Sequence, residues 1–292
     1  MLAELPPWAA ITVLTAAGGV LSAAAAGIFL RLPEKQRQWA IPHLLSYATG
    51  ALLGAALLGL VPEAIEASMV AYGAAGPARV GTLLLAGILL FFVLEKLVLW
   101  RHCHEPEHDH GFVLDPTHEV AGVVEHEHTH RRATDTTPLT GARARAAAML
   151  ALTGDTLHNF IDGVIIAVAW LSDPGVGIAT AVAVFAHEVP QEIGDLAVLL
   201  HGGFSRARAF LLNTLSSLAA VAGGITGLFA LSFAGRWLPD VMTVAAASLL
   251  YVAVADLIPG LHRRAEPRAA LVQLLLMAAG LATVVLLHPA HP

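Results

Sequence analysis

The chain has 292 residues, of which 57% are hydrophobic and only 13% are charged, and its formal net charge is −6. An ordinary soluble domain carries roughly 25% charged residues, so the composition excludes a soluble globular enzyme and a disordered chain. The negative charge argues against a nucleic-acid partner. The single cysteine excludes a disulfide scaffold and a multi-cysteine metal site. These features predict a membrane protein.

Eight apolar stretches are long enough to cross a bilayer as helices, which requires roughly 20 residues each. They lie at about 8–30, 42–62, 79–100, 146–170, 176–200, 207–231, 238–259 and 268–288. No Lys or Arg precedes the first stretch, and it is longer than the apolar part of a signal peptide, so we interpret it as a true span. We therefore expect an all-α polytopic membrane protein with one transmembrane domain over residues 1–292.

The distribution of positive charge predicts the orientation of these spans. Of the 16 Lys and Arg residues, all except Arg79 and Arg236 fall in the connections between spans 1 and 2, 3 and 4, 5 and 6, or 7 and 8. Cytoplasmic connections are enriched in Lys and Arg. Both termini are therefore expected outside, and these four connections in the cytoplasm.

The one long connection, residues 101–145, is rich in histidine and acidic residues. Its histidines are His102, His104, His108, His110, His118, His126, His128 and His130. A polar Cys/His-rich tract cannot form a packed core and often binds metal. We expect a disordered cytoplasmic loop that binds or senses metal weakly, and a solvated linker is the alternative.

Spans 2 and 7 end in similar sequences, LVPE at residues 60–63 and LIPG at residues 257–260. By the predicted topology the two spans run in opposite directions, as an inverted repeat requires. The similarity is a weak indication of inverted-repeat character.

Ionisable residues within hydrocarbon cost roughly 2.5–3.5 kcal/mol each on insertion scales, so they usually mark function. They are concentrated in spans 4 and 5: Asp155, His158 and Asp162 with Asn159 in the first, and His187, Glu188, Glu192 and Asp195 with Gln191 in the second. In each span the spacing puts most of these side chains on one helical face. Because the turn around residues 172–174 is short, we expect the two helices to pack antiparallel with His158 and Glu188 at the same depth.

Two further features of spans 4 and 5 concern backbone shape. Pro190 predicts a kink in span 5. Gly154, Gly163 and Gly194 predict close approach of neighbouring helices.

Imidazole, carboxylate and amide groups together suit Zn²⁺, Fe²⁺, Mn²⁺ or a similar divalent ion. The carboxylates are numerous enough for two ions that share Glu188. A single buried His or Asp would be interpreted as a hydrogen-bonded packing residue, but so many on two facing helices indicate metal binding.

At these residues the chain resembles the ZIP (Zrt/Irt-like) family of divalent-metal transporters. The resemblance lies in His158-Asn159-x-x-Asp162-Gly163 and in His187-Glu188-x-Pro190-x-Glu192-x-Gly194-Asp195. It implies metal uptake toward the cytoplasm, usually of zinc and sometimes of iron, manganese or cadmium. It also implies eight spans in a 3+2+3 arrangement and a binuclear site between spans 4 and 5.

The resemblance assigns the metal site to His158, Asn159, Asp162, His187, Glu188 and Gln191, and we add Glu192. Many relatives have His where Gln191 stands, and Ala55 and Gly59 replace the entrance ligands of span 2, which leaves Glu63 and Glu66 as an acidic mouth. Secondary or pathway roles are expected for Asp155, Asp195, Asn213, Ser217, Asp256 and Glu63, with Ser216 beside Asn213 and Ser217 on span 6.

Three other functions remain open. His187-Glu188 begins like the H-E-x-x-H motif of metallohydrolases, but Gln191 takes the place of the second zinc histidine. A cation exporter would share the intramembrane site, and a metal sensor would bind ions without moving them.

We expect a divalent-cation transporter, not an enzyme, that works by alternating access in a bacterial cytoplasmic membrane. Its partners are metal ions and the lipid bilayer, with no nucleic acid, and its substrate is Zn²⁺ or another divalent cation, with no organic cofactor. No G-x-x-x-x-G-K-[ST] motif is present, so ATP is not the direct driver. The small residues in the spans permit a homodimer.

Overall fold

A computed structural model of the chain describes residues 4–103, 141–233, 235–262 and 266–288. Helices make up nearly all of these residues, and no strand occurs among them. Five stretches within the described ranges are long and apolar enough to cross a membrane: Pro7–Phe29, Glu34–Lys96, Arg206–Leu231, Gly235–Leu261 and Pro267–Leu287. The expectation of an all-α polytopic membrane protein is confirmed at this level.

The α-helices follow one another with short connections. They are α1 Pro7–Phe29, α2 Glu34–Gly54, α3 Val61–Tyr72, α4 Gly76–Cys103, α5 Gly141–Ser172, α6 Pro174–His201, α7 Arg206–Ser217, α8 Ala219–Phe233, α9 Leu238–Tyr251, α10 Ile258–Leu261 and α11 Pro267–Leu287. Each of the eight predicted spans lies on these helices, but the helices extend further. The second span was predicted at 42–62, whereas helical structure continues from residue 34 to residue 72. That all eight cross the membrane, in a 3+2+3 arrangement, stays a prediction.

Helix α6 lies at the centre of the packing. It contacts α5, its neighbour in the chain, and also α1, α2 and α11. The other extensive contacts join α5 to α8, α2 to α11, and α4 to α9. The hairpin of α5 and α6 is therefore held between neighbours on both sides, which positions its polar faces inside the protein.

Small residues let α5 and α8 approach closely. A Cβ atom at Gly163 would lie 1.9 Å from the carbonyl oxygen of Ala220, and one at Gly223 would lie 1.9 Å from that of Phe160. The prediction for Gly163 is thus confirmed. The prediction for Gly154 and Gly194 is wrong, because a Cβ at either position has nothing within 4 Å: these two glycines face open space instead of a neighbouring helix.

Two π-helical turns interrupt the helical segments that contain predicted spans 2 and 7. One spans Ala55–Leu60 between α2 and α3, and the other spans Val252–Leu257 between α9 and α10. In both, the N–H of the residue before the proline donates five residues back, from Val61 to Ala56 and from Ile258 to Ala253. The prolines lack an N–H, and a π turn accommodates the interrupted ladder. This shared geometry extends the LVPE and LIPG similarity, while the inverted repeat itself stays a prediction.

The hairpin turn is fixed by Asp173, whose side chain caps α6. Its Oδ1 accepts hydrogen bonds from the backbone N–H groups of Gly175 at 2.7 Å and Val176 at 3.1 Å. Pro174 at the first helical position is pre-organised for the same start. Helix α6 then continues through Pro190 to His201.

Candidate metal centre

The α5–α6 hairpin brings its two polar faces together at one depth, as the sequence predicts. The Nε2 atom of His158 lies 3.6 Å from Oε1 of Glu188. Four of the seven predicted metal residues form the closest group, which we call the metal cluster: His158, Asp162, His187 and Glu188. One ligand atom from each of them lies within 4.8 Å of all the others.

The distances within the metal cluster fit a single tetrahedral ion. Nε2 of His187 lies 3.3 Å from Nε2 of His158, 3.2 Å from Oδ2 of Asp162 and 3.4 Å from Oε1 of Glu188. Nε2 of His158 lies 3.7 Å from Oδ2 of Asp162. Zinc ligands at roughly 2.0–2.2 Å from a tetrahedral centre are about 3.3–3.6 Å apart. The cluster therefore has the ligand types and the spacing for one zinc ion.

Three carboxylate oxygens of the metal cluster are buried without a hydrogen-bond partner: Oδ2 of Asp162 and both oxygens of Glu188. Asp162 and Glu188 are both only 3% exposed. Unpaired polar atoms are costly to bury, and a divalent cation would supply the missing interaction.

Asn159 and Gln191, also predicted as metal residues, contact Asp155. Oδ1 of Asp155 accepts hydrogen bonds from Nδ2 of Asn159 at 3.1 Å and from Nε2 of Gln191 at 3.2 Å. Oδ2 of the same carboxylate accepts from the hydroxyl of Ser216 at 2.5 Å. We call these four residues the Asp155 network; it joins α5, α6 and α7.

Glu192, the seventh predicted metal residue, turns toward α7. It is fully buried and accepts hydrogen bonds from the side chains of Asn213 and Ser217. Sequence spacing predicts Glu192 on the same face of α6 as Glu188. Hydrogen bonds from Asn213 and Ser217 instead hold its carboxylate against α7. Among the other expected pathway residues, Asp195 has a buried Oδ2 atom without a hydrogen-bond partner.

Buried apolar residues pack on both sides of the metal cluster along α5 and α6. Those on the side of the α5–α6 turn are Leu52, Ala56, Leu60, Ile165, Ile166, Ala169, Val176, Ala179, Ala183 and Val184. On the opposite side, toward the start of α5, a second group of buried apolar residues includes Leu152, Val189 and Ile193. The His158 side chain, at 28% exposure, is the most exposed of the four cluster residues.

Acidic residues lie at both ends of this region. Near the α5–α6 turn, a notch is lined by Glu63 and Glu66. His288 lies between two acidic residues at this end: its Nε2 atom is 4.0 Å from Glu63 and its Nδ1 atom is 3.5 Å from Asp173. Away from that turn, Asp256 is exposed in the second π turn.

Sequence analysis missed three tertiary pairs. The Arg79 guanidinium binds the Asp240 carboxylate at 2.8 and 2.7 Å, which ties α4 to α9, and the Tyr72 hydroxyl donates to Asp240 at 3.2 Å. The Tyr251 hydroxyl donates to Glu95. The available signals were charged residues within predicted spans 3 and 7: Arg79, Glu95 and Asp240.

The structure gives no account of the His-rich loop. His102 belongs to α4, and His104, His108, His110, His118, His126, His128 and His130 lie outside the described residues. Metal binding by this loop stays a prediction.

Comparison with known proteins gives consistent matches. The family described as ZIP Zinc transporter matches residues 7–288. Mouse zinc transporter ZIP4 is 34% identical over 263 residues, which cover 79% of this chain and 40% of ZIP4. Human zinc transporter ZIP13 is 31% identical over 269 residues, which cover 85% of this chain and 71% of ZIP13. The chain thus spans less than half of ZIP4 but most of ZIP13.

Proposed function

The chain belongs to the ZIP family of zinc transporters, and from this premise we propose that it moves zinc or a related divalent cation through the metal cluster on α5 and α6. The observation that carries the proposal is the buried His158–Asp162–His187–Glu188 group, with its unpaired carboxylate oxygens and zinc-like spacing. Mixed imidazole and carboxylate ligands hold divalent ions but still exchange them with water and neighbouring ligands.

We propose alternating access as the mechanism, with uptake into the cytoplasm. Its support is the burial of the metal cluster: Asp162, His187 and Glu188 are only 2–3% exposed, and His158 is partly exposed. An ion held there must be reached by a change of conformation. Ions would arrive past Glu63 and Glu66 and leave past Asp256.

We also propose that the site is binuclear. Asn159 and Gln191 lie beside the metal cluster, and their amide groups are the remaining ligands for a second ion that shares Glu188. Glu192, held by Asn213 and Ser217, borders this second position together with Asp195. Equilibrium binding to purified protein should give two zinc ions per chain, falling to one in Gln191→Ala.

The arrangement in the membrane follows the same proposal. We propose eight spans in a 3+2+3 arrangement with inverted-repeat character, a single transporter domain over residues 1–292, both termini outside and the loop 101–145 in the cytoplasm. We further propose that the protein is a homodimer in a bacterial cytoplasmic membrane, without enzymatic activity.

Zinc influx into proteoliposomes tests the function. Influx that saturates with zinc concentration is expected for the wild-type protein. Tight zinc binding without influx would contradict transport and favour a metal sensor, and efflux alone would contradict the proposed direction.

Deleting residues 104–130 is expected to change regulation more than basal transport, because the metal cluster lies on helices outside the deleted segment. The initial rate of zinc influx at low external zinc should stay within about twofold of wild type, an expectation that follows from independent sites acting additively. Loss of all influx in a deletion variant that remains folded would contradict a purely regulatory loop.

A further inference from the structure

We infer that Asp155 is a positioning residue that fixes the amide groups of Asn159 and Gln191 so that their oxygens, not their nitrogens, are presented to metal ions. The inference rests on the proposed function and assigns Asp155 a role more specific than the pathway role that the sequence predicts. It starts from the contacts in the Asp155 network.

A carboxylate only accepts hydrogen bonds, whereas an amide has a donor end and an acceptor end. Because Asp155 meets both amides, each must turn its NH₂ group toward Oδ1, as the distances of 3.1 and 3.2 Å show. The backbone oxygen of Asp155 accepts from the same Nδ2 of Asn159 at 3.1 Å and reinforces that orientation. The amide oxygens then face away from Asp155.

The orientation matters because only the oxygen end of an amide is a useful ligand. Oxygen donors of this kind bind divalent cations, and an amide nitrogen offers hydrogens instead. Asn159 lies one helical turn before Asp162, and Gln191 lies one helical turn after Glu188, so each amide shares a helical face with a residue of the metal cluster. The Asp155 carboxylate, as a single acceptor, therefore orients two amide ligands.

Asp155 is itself held firmly. Its carboxylate accepts from Ser216 of α7 at 2.5 Å, and Ser216 also shares a 2.8 Å hydrogen bond with Thr156. Asp155 is 6% exposed. With three side-chain donors on its two oxygens, it has little capacity left to bind a passing ion, which favours positioning over direct ligation.

The Asp155→Asn variant tests this role, because asparagine keeps the shape but can donate and so permits either amide to flip. Loss of partners that orient metal ligands typically lowers metal affinity by about 10–100-fold. We expect a loss of this size for Co²⁺, used as the probe, in purified protein, together with a changed visible absorption spectrum. The half-saturating zinc concentration for influx should rise in parallel.

A double-alanine variant that lacks both amides distinguishes loss of amide orientation from loss of the negative charge of Asp155. In the Asn159→Ala/Gln191→Ala protein no amide remains to be oriented, so adding Asp155→Asn should change Co²⁺ affinity by less than about twofold, as expected when two groups act as one unit. An equal loss in both backgrounds would overturn the inference, since a charge effect persists without the amides. Unchanged Co²⁺ binding in Asn159→Ala/Gln191→Ala would overturn it as well.

Ser216→Ala provides an independent variant if Asp155→Asn fails to fold. It removes one donor to Asp155 and should lower Co²⁺ affinity in the same direction by a smaller factor, again only when the amides are present. A wild-type protein that binds Co²⁺ but transports no zinc would contradict the proposed function. Co²⁺ binding by Asp155→Asn, compared in the wild-type and double-alanine proteins, would still test the role of Asp155.

Discussion

Replacing Glu188 by alanine is expected to reduce zinc influx by more than about 100-fold, beyond the 10–100-fold typical of groups that only orient metal ligands. Glu188 supplies one of the four ligand atoms in the metal cluster, and both of its oxygens are buried without a donor. The remaining three ligands leave the ion short of both charge and coordination. Influx of zinc into proteoliposomes, per inserted protein, measures the effect.

The same substitution should leave the fold intact or make it more stable. A buried carboxylate without hydrogen bonds destabilises a metal-free protein, and removing it relieves that cost, as is common at functional sites. The thermal midpoint without metal should therefore equal or exceed that of wild type. Stabilisation by added zinc should largely disappear, because binding shifts apparent stability only where a site exists.

Glu34→Ala is the matched control for Glu188→Ala. Glu34 is an exposed glutamate at the start of α2, where it pairs with Arg37, and it is not part of the metal cluster. Its removal should leave influx unchanged. Wild-type influx in a well-inserted Glu188→Ala protein would show that the metal cluster is not the transport site.

Replacing Gly223 by valine is expected to abolish assembly of the folded protein. Its Cβ would lie 1.9 Å from the backbone oxygen of Phe160, and backbone atoms cannot move aside as a flexible side chain can. Ordinary overpacking of a core costs about 1–3 kcal/mol, and a helix–helix separation set by backbone contact allows less relaxation. The metal residues on α5 would then lose the support of α8.

The yield of monodisperse protein in detergent and its thermal midpoint measure this loss. Gly223→Ala should show a smaller decrease in the same direction. Gly81→Val is the matched control, since a Cβ at Gly81 meets nothing within 4 Å. A Gly223→Val protein with the wild-type midpoint would contradict the close contact of α5 and α8.

The predicted binuclear site and the Asp155 network bear on the same question, which is how many ions the protein holds. The metal cluster by itself has ligands for one ion. Binding of a second ion requires that Asn159 and Gln191 present their amide oxygens. The orientation of both amides is set by the carboxylate of Asp155, which accepts their hydrogen bonds. Metal stoichiometry and the Asp155→Asn cycle therefore complement each other.

The class of protein, the helical segments and the residues proposed as the main metal ligands follow from local features of the sequence. Apolar runs of about 20 residues demand helices in a bilayer because the backbone must satisfy its own hydrogen bonds. Helical spacing then put His158 and Asp162 on one face and Glu188 on the facing one. A short turn fixed their common depth, so this part of the site follows from local rules and chain length.

Tertiary contacts set how the remaining polar residues divide between the metal cluster and partners on other helices. Spacing gives the face of one helix but not which third helix lies against it, so Glu192 was grouped with the metal ligands although Asn213 and Ser217 of α7 hold it. In the same way, Ser216 made Asp155 part of a fixed network. Gly163 contacts a neighbouring backbone and Gly154 does not, because close approach depends on where α8 crosses α5 and on no feature of either glycine.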